Sequence, residues 1–155
     1  MNHDVRVLCL GSDAVAVAEL AQVDVEDAGV RLMLPKMEHY VIKLSRIRRP
    51  IAHILKETLL SQGGDAAVNK DVITARVDFT DVILMGTRKQ FQRVLPVLLE
   101  QGFGCDRVAA EIEAAIRHYR SPAAGPSSDA AIPGPLARTF GMVGKRTLEI
   151  GRAHV

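Results

Sequence analysis

Apolar residues recur at helical spacing between residues 50 and 62, which predicts an amphipathic helix around which the chain is organised. Pro50 suits the first turn, because a first-turn residue has no partner for its N–H and the fixed φ of proline already fits a helix. Gly63 suits the end, where a left-handed backbone costs glycine no Cβ clash. Gly64 allows a second unusual backbone angle before the extended run 65–68. The predicted core-facing stripe consists of Ile51, Ile54, Leu55, Thr58 and Leu59.

Runs of β-branched and apolar residues predict strands before and after this helix. They occupy residues 5–10, 30–34, 40–47 and 80–85, with strand-like pieces at 65–74 and 75–79. The runs 5–10 and 80–85 are apolar enough to be buried on both faces of a sheet. Helices are predicted at 13–21, 50–62, 88–101 and 106–119. This alternation predicts an α/β domain with a mixed open sheet of about five strands and flanking helices. A split β-α-β, ferredoxin-like α+β arrangement is the alternative.

Thr87 and Gln90 have the T-x-x-Q spacing of a capping box, which predicts that a helix begins there. Arg88 and Lys89 then lie in its first turn, where the helix dipole disfavours cations unless an anion is present. Backbone N–H groups, two basic side chains and the Thr87 hydroxyl would suit a carboxylate or phosphate. A capped surface helix with two solvated basic residues is the alternative. Pro96 falls inside the helix and predicts a kink or break about one turn earlier.

The glycine turn and the start of this helix are candidates for one shared crevice, because open α/β sheets bind ligands where strands end. A lysine from the preceding strands would add positive charge, and a small anion would then be the occupant. The ligand-binding candidates are Lys36, Lys43, Gly63, Gly64, Asp65, Thr87, Arg88, Lys89 and Gln90. The alternative is that both loops are constrained by folding alone.

The composition bounds the class of protein. With 155 residues and 16.8 kDa, the chain fits one domain plus a tail. A formal charge of +2 with 25% charged residues is close to balanced, so we expect neither a nucleic-acid nor a membrane partner. No signal peptide and no apolar run of about 18 residues is present, which predicts a cytoplasmic protein. Cys9 and Cys105 lack CxxC spacing and are expected to be buried free thiols.

No catalytic motif is found in the sequence. The five histidines show neither the H-E-x-x-H spacing nor a Cys–His metal set, and neither a G-x-S-x-G elbow nor a P-loop occurs. The residues themselves therefore predict no catalytic residue, no metal site and no cofactor site.

Two motifs carry a resemblance to a known family. The order ILKETLLSQGGDAAV at 54–68, then TDVILMGTRKQ at 80–90, then a helix and FG, resembles the N-terminal accessory domain that precedes the catalytic barrel in one group of bacterial dihydropteroate synthases. The resemblance runs over residues 30–119, and Lys36 and Lys43 recur in a similar setting. The segment GKRTL at 144–148 is similar to the lead-in to that family's barrel.

The resemblance implies a domain of an enzyme that joins p-aminobenzoate to a dihydropterin pyrophosphate in folate synthesis. A (β/α)₈ barrel needs about 200 residues or more, so the barrel and its pterin-binding segment are not expected in this chain. The resemblance implies that this chain is a structural or regulatory domain without activity of its own, with the missing barrel as its partner. Any Mg²⁺ would belong to the parent enzyme. The alternative is an independent module that binds a small anion or other ligand.

The predicted domain order is an α/β domain over 1–120, a Pro/Gly/Ser/Ala-rich disordered linker over 121–138 and a lead-in to the barrel over 139–148. Residues 149–155 read EIGRAHV, which is also the translation of a common sequencing-adapter read, so we predict that they are not native.

Overall fold

The computed structural model describes residues 3–121, and the linker, lead-in and tail predicted beyond Ser121 lie outside them. The chain divides into two compact units, Met1–Arg117 and His118–Val155. The described part of the second unit comprises only the end of the last helix and Ser121. The elements are α1 (Asp13–Gln22), α2 (Asp27–Met37), β1 (His39–Arg48), α3 (Arg49–Ser61), β2 (Asp65–Val68), β3 (Phe79–Thr87), α4 (Arg88–Glu100) and α5 (Cys105–Arg120).

The three strands form one antiparallel sheet in the order β1-β3-β2. Since β1 and β2 both run antiparallel to the central β3, they are parallel to each other and are connected through α3. The described residues thus contain one split β-α-β unit, which is part of the ferredoxin-like alternative. The prediction of about five strands in a mixed sheet is wrong for the described residues, which contain three strands and five helices.

One face of the sheet is buried under helices and the other is open. Along β3, Thr80, Val82 and Leu84 are buried, whereas the alternating residues Phe79, Asp81 and Ile83 are exposed. The prediction that this strand is buried on both faces is therefore wrong. We use the term open sheet face for the side that carries Phe79, Asp81, Ile83 and Met85 of β3, Val41 and Lys43 of β1, and Asp65 and Ala67 of β2.

The covered face holds the hydrophobic core. Leu55 and Leu59 of α3 and Phe91 of α4 are almost completely buried there, as the helical spacing predicts. The Tyr40 ring lies 5.9 Å from the Phe91 ring, centroid to centroid. The largest fully buried side chains are Phe91, Leu55, Leu59, Leu98, Ile112, Val82 and Cys105. Helix α5 therefore contributes to the same core as α3 and α4.

Two predicted strands are not strands in the structure. Residues 5–10 pair with no described strand, and Val5 and Val7 are 93% and 94% exposed. An apolar run forms a strand only where a neighbouring strand accepts its backbone hydrogen bonds. Residues 30–34 lie inside α2, which shows that a five-residue apolar run does not by itself distinguish a strand from a helix. Cys9 is exposed, so the prediction that both thiols are buried holds only for Cys105.

The secondary structure of the polar stretch after β2 and of helix α4 also differs from the prediction. Residues 69–78 contain turns and no strand, and the Asn69 carboxamide oxygen Oδ1 accepts a hydrogen bond from the Asp71 N–H at 2.8 Å. Helix α4 continues from Arg88 to Glu100, so the predicted break before Pro96 is wrong, whereas a kink there stays a prediction. Pro96 is exposed, so water can satisfy the carbonyl group that lost its helical partner.

Candidate functional site

The end of α3 is a complete Schellman motif. Gly63 has a φ of +81°, and its N–H donates to the Leu60 carbonyl oxygen at 2.9 Å. The Gly64 N–H donates to the Leu59 carbonyl oxygen at 3.0 Å. A Cβ at Gly64 would lie 2.8 Å from the Leu59 side chain and 2.9 Å from the Met85 carbonyl oxygen. Each glycine is thus required for a different reason, the first by backbone angle and the second by close packing.

The start of α4 is a capping box, as predicted. The Thr87 hydroxyl accepts from the Gln90 N–H at 3.3 Å, and the Gln90 Oε1 accepts from the Thr87 N–H at 2.7 Å. The same Gln90 carboxamide donates through Nε2 to the Gln62 carbonyl oxygen at 3.1 Å. The glycine turn and the helix start therefore meet at one end of the sheet, as the predicted crevice requires. Asp65 lies beside them on β2, opposite Met85 in the register.

Arg88 faces into the protein. Its side chain is 9% exposed, and its Nη1 lies 3.0 Å from Asp13 Oδ2, 3.2 Å from Asp13 Oδ1 and 3.0 Å from Glu38 Oε2. Its backbone N–H donates to the Glu38 carbonyl oxygen at 2.9 Å. Asp13 and Glu38 therefore already balance the positive charge of Arg88, for which a bound anion is one of the two interpretations of the sequence. Half-buried Lys89 is the remaining basic side chain of this first turn.

The two candidate lysines lie in different places. Lys36 is exposed in the last turn of α2. Lys43 lies on the open sheet face, with its Nζ 3.6 Å from Asp81 Oδ2. His39 pairs with Thr87 in the register, and Lys43 is four residues further along β1, which corresponds to roughly 13 Å. The structure thus brings together seven of the nine candidates, from Gly63 to Asp65 and from Thr87 to Gln90. Lys43 lies away from them, and Lys36 lies two residues before Glu38, whose carbonyl oxygen accepts the Arg88 N–H.

A second site lies at the opposite end of the sheet, where the sequence predicts none. An open pocket of about 460 Å³ is lined by Arg46, Asn69, Phe79, Thr80 and Asp81. Arg46 occupies a β-bulge between Leu44 and Ile47 and has a φ of 53°. The basic run KLSRIRR at 43–49 is the signal in the sequence that points to this end. The bulge depends on pairing with β3 and has no such local signal.

Two further observations concern the described residues. Among residues 3–121, no three His, Cys, Asp or Glu side chains are placed to hold a metal ion together. None of the described helices has the length and apolar character needed to span a membrane.

The chain is similar over part of its length to proteins that contain a dihydropteroate synthase. It is 29% identical over 113 residues to the bifunctional dihydropteroate synthase/dihydropteroate reductase of Helicobacter pylori, covering 73% of this chain and 29% of that protein. Two probable bifunctional folylpolyglutamate synthase/dihydropteroate synthases are also similar. The Haloferax volcanii protein is 40% identical over 68 residues, which are 44% of this chain and 8% of the relative. The Halobacterium salinarum protein is 32% identical over 104 residues, which are 67% and 12%.

The chain therefore spans less than a third of each of these curated relatives. No family model matches it. No solved structure matches it either.

Proposed function

We propose that this chain is an accessory domain of a dihydropteroate synthase protein of folate biosynthesis. The observation that carries the proposal is that dihydropteroate synthase is the one activity named for all three relatives, whereas the second activity is a dihydropteroate reductase in one and a folylpolyglutamate synthase in the other two. A region that matches all three relatives is therefore assigned to the activity that they share rather than to a second activity that they do not all share. The sequence resemblance of residues 54–68 and 80–90 supports the same assignment.

The synthase chemistry itself is assigned to another part of the larger protein. The 155 residues here are fewer than the about 200 that a (β/α)₈ barrel needs. The described fold is instead a three-stranded sheet with helices on one face. We expect no conversion of p-aminobenzoate and dihydropterin pyrophosphate by this chain alone.

The open sheet face is the surface by which we propose that the domain packs on its catalytic neighbour. Val41 is 68% exposed and Ile83 37% exposed, and Met85 lies between them on the same face. Apolar side chains grouped on one side of a sheet are typical of a surface that another domain covers. The occupant that fits is the synthase domain, because the relatives carry the matched region within chains that are several times longer.

The experiment that tests this function is a chimera. The 113-residue matched region of the Helicobacter pylori relative is replaced by the corresponding residues of this chain, and synthase turnover is measured beside the intact relative and a deletion of the region. We expect the chimera to retain turnover within about tenfold, equivalent to about 1.4 kcal/mol in the barrier, and the deletion to lose soluble, active protein. A deletion that is as active and as stable as the intact relative would contradict an accessory role.

The docking surface is tested in the same chimera by Val41→Lys. A buried lysine in an interdomain contact should lower the melting temperature of the chimera and its turnover, because a charge would be desolvated without a partner. Val97→Lys is the matched control, since Val97 is 47% exposed on α4, which covers the opposite side of the sheet. Equal effects of the two substitutions would show that the open sheet face is not the contact.

A second candidate function is binding of a small anion where the glycine turn meets the start of α4. The hydrogen bond from Gln90 Nε2 to the Gln62 carbonyl oxygen favours it, because it holds the two candidate loops together. Lys89 would supply the charge, since Arg88 is paired with Asp13 and Glu38. Calorimetric titration with inorganic phosphate before and after Lys89→Ala tests this candidate. Absence of heat with the unsubstituted chain would reject it.

A further inference from the structure

Arg46 is held in place without using its hydrogen-bond donors. Its guanidinium carbon lies 5.6 Å from the centroid of the Phe79 ring, and its backbone N–H donates to Asp81 Oδ1 at 3.0 Å. Within residues 3–121, its guanidinium has neither an ion-pair partner nor a hydrogen-bond acceptor. An arginine with an oriented plane and open donors is suited to bind a planar or tetrahedral oxyanion through two parallel hydrogen bonds.

The backbone at Arg46 is also unusual. A φ of 53° places this non-glycine residue in the left-handed region, inside the bulge between Leu44 and Ile47. Such conformations persist only where the surrounding structure imposes them, and they are concentrated at binding sites. Here the Asp81 carboxylate stabilises it by accepting the Arg46 N–H. The bulge shifts the alternation of side chains along β1, and Arg46 thereby lines the pocket.

The charges around the pocket favour an anion. Lys43 and Arg48 of β1 are exposed, and Arg48 lies directly opposite Phe79 in the register. Asp81 is the acidic side chain of the pocket lining, and its two oxygens are already engaged by the Arg46 N–H and the Lys43 ammonium. The pocket lining thus contains one carboxylate, which is already engaged, and one arginine whose guanidinium is open.

The pocket also offers an apolar surface. Phe79 is 50% exposed, so part of its ring remains open to a ligand although Arg46 lies over it. Asn69 lines the same space. A flat apolar group packed against Phe79 would place an attached oxyanion near the Arg46 guanidinium.

We propose that this pocket binds a small molecule that carries a phosphate or carboxylate on a flat apolar group, with Arg46 as the anion-binding residue and Phe79 as the packing surface. This site is at the opposite end of the sheet from the glycine turn. Phe79 and Asp81 belong to the open sheet face, but the docking contact proposed above is argued from Val41, Ile83 and Met85, so the pocket proposal does not require the accessory role.

The test uses the full 155-residue chain and phenyl phosphate as the probe, followed by amide chemical shifts in nuclear magnetic resonance spectra. We expect saturable shifts at Arg46, Asn69 and Phe79. Arg46→Met should weaken binding about tenfold, because it removes charge-assisted hydrogen bonds and keeps most of the apolar stem. Arg93→Met, an equal change of charge at an exposed position of α4, should leave the affinity within about twofold of the unsubstituted chain.

Inorganic phosphate and a second variant separate the two contributions. Inorganic phosphate should bind about fivefold more weakly than phenyl phosphate, since it lacks the ring that packs on Phe79. Phe79→Leu should reduce this preference without abolishing phosphate binding, and it keeps the proposal testable if Arg46→Met does not fold. The proposal is overturned if the unsubstituted chain shows no saturable binding, if Arg93→Met weakens binding as much as Arg46→Met, or if the shifts occur only around Thr87.

Discussion

The carboxamide of Gln90 connects to the carbonyl group of Gln62, 28 residues earlier in the chain, with 3.1 Å between Nε2 and the oxygen. Its Oε1 at the same time accepts the Thr87 N–H at 2.7 Å. One side chain therefore completes the capping box of α4 and binds the C-cap residue of α3. The two helices that cover the sheet are thus connected through a polar group as well as through their apolar faces.

Gln90→Ala should destabilise the domain by about 1–2 kcal/mol, because it removes the capping interaction and leaves the Gln62 carbonyl oxygen without this donor. Gln92→Ala is the control, since Gln92 is exposed on the same helix and should change stability by less than about 0.5 kcal/mol. Urea unfolding followed by circular dichroism measures both. Equal midpoints for the two variants would show that the connection between the helices contributes nothing.

Gly64→Ala should destabilise the domain by about 1–3 kcal/mol through overpacking. The added Cβ would meet the Leu59 side chain at 2.8 Å and the Met85 carbonyl oxygen at 2.9 Å, and a backbone carbonyl in the sheet cannot move away easily. Gly11→Ala is the control, because a Cβ there has no neighbour within 4 Å. Thermal unfolding of both variants is the measurement, and a Gly64→Ala melting temperature equal to that of Gly11→Ala would contradict the packing argument.

The ion pair between Arg88 and Asp13 attaches α1 to the rest of the domain. Ala16 is the one buried residue of this helix, so apolar contacts hold it weakly. Asp13→Asn should increase amide hydrogen exchange within α1 and lower global stability by no more than about 1 kcal/mol, because Asp13 is 47% exposed and Glu38 still pairs with Arg88. Exchange rates measured by mass spectrometry test this.

Arg88→Met should have the larger effect, about 2–4 kcal/mol, because the Glu38 carboxylate is only 25% exposed and would lose its cation. The control is Arg93→Met on the solvent side of the same helix. If Arg88→Met unfolds at the same urea concentration as this control, the buried ion pairs do not stabilise the fold.

The parts of the fold that the sequence predicts are those specified by neighbouring residues. The bounds of α3 follow from Pro50 and Gly63, and the start of α4 follows from Thr87 and Gln90, which are three residues apart. The stripe of α3 is correctly predicted for the same reason, since a helix places nearby residues on one face.

The parts that it does not predict depend on distant residues. The partner of Arg88 is Asp13, 75 residues away, so the sequence offers either an anion site or two solvated basic residues for the first turn of α4, and neither includes the two carboxylates that pair with buried Arg88. The bulge at Arg46 requires Asp81, 35 residues later. Residues 5–10 have the composition of a strand, but no described strand lies beside them to pair with.

The two thiols should differ in reactivity and in their contribution to stability at high pH. Cys9 is exposed and should react quickly with a thiol reagent, whereas Cys105 is 0% exposed and should react only as fast as the domain opens. Burial raises the pKa of the Cys105 thiol from its ordinary value of 9.0, and the neighbouring Asp106 carboxylate raises this pKa further. The buried, protonated thiol is therefore favoured by folding.

The sign of the pH effect follows from proton binding. Above pH 9.0 the unfolded chain loses the thiol proton while the folded chain still holds it, so the free energy of unfolding falls as the pH rises from 9.0 through the higher pKa of the folded state. Below pH 9.0 this contribution is fully present. Urea unfolding at pH 8 and pH 10 should show a larger loss of stability for the native chain than for Cys105→Ala, because the variant lacks this thiol. An equal loss in both chains would assign the alkaline effect to other groups.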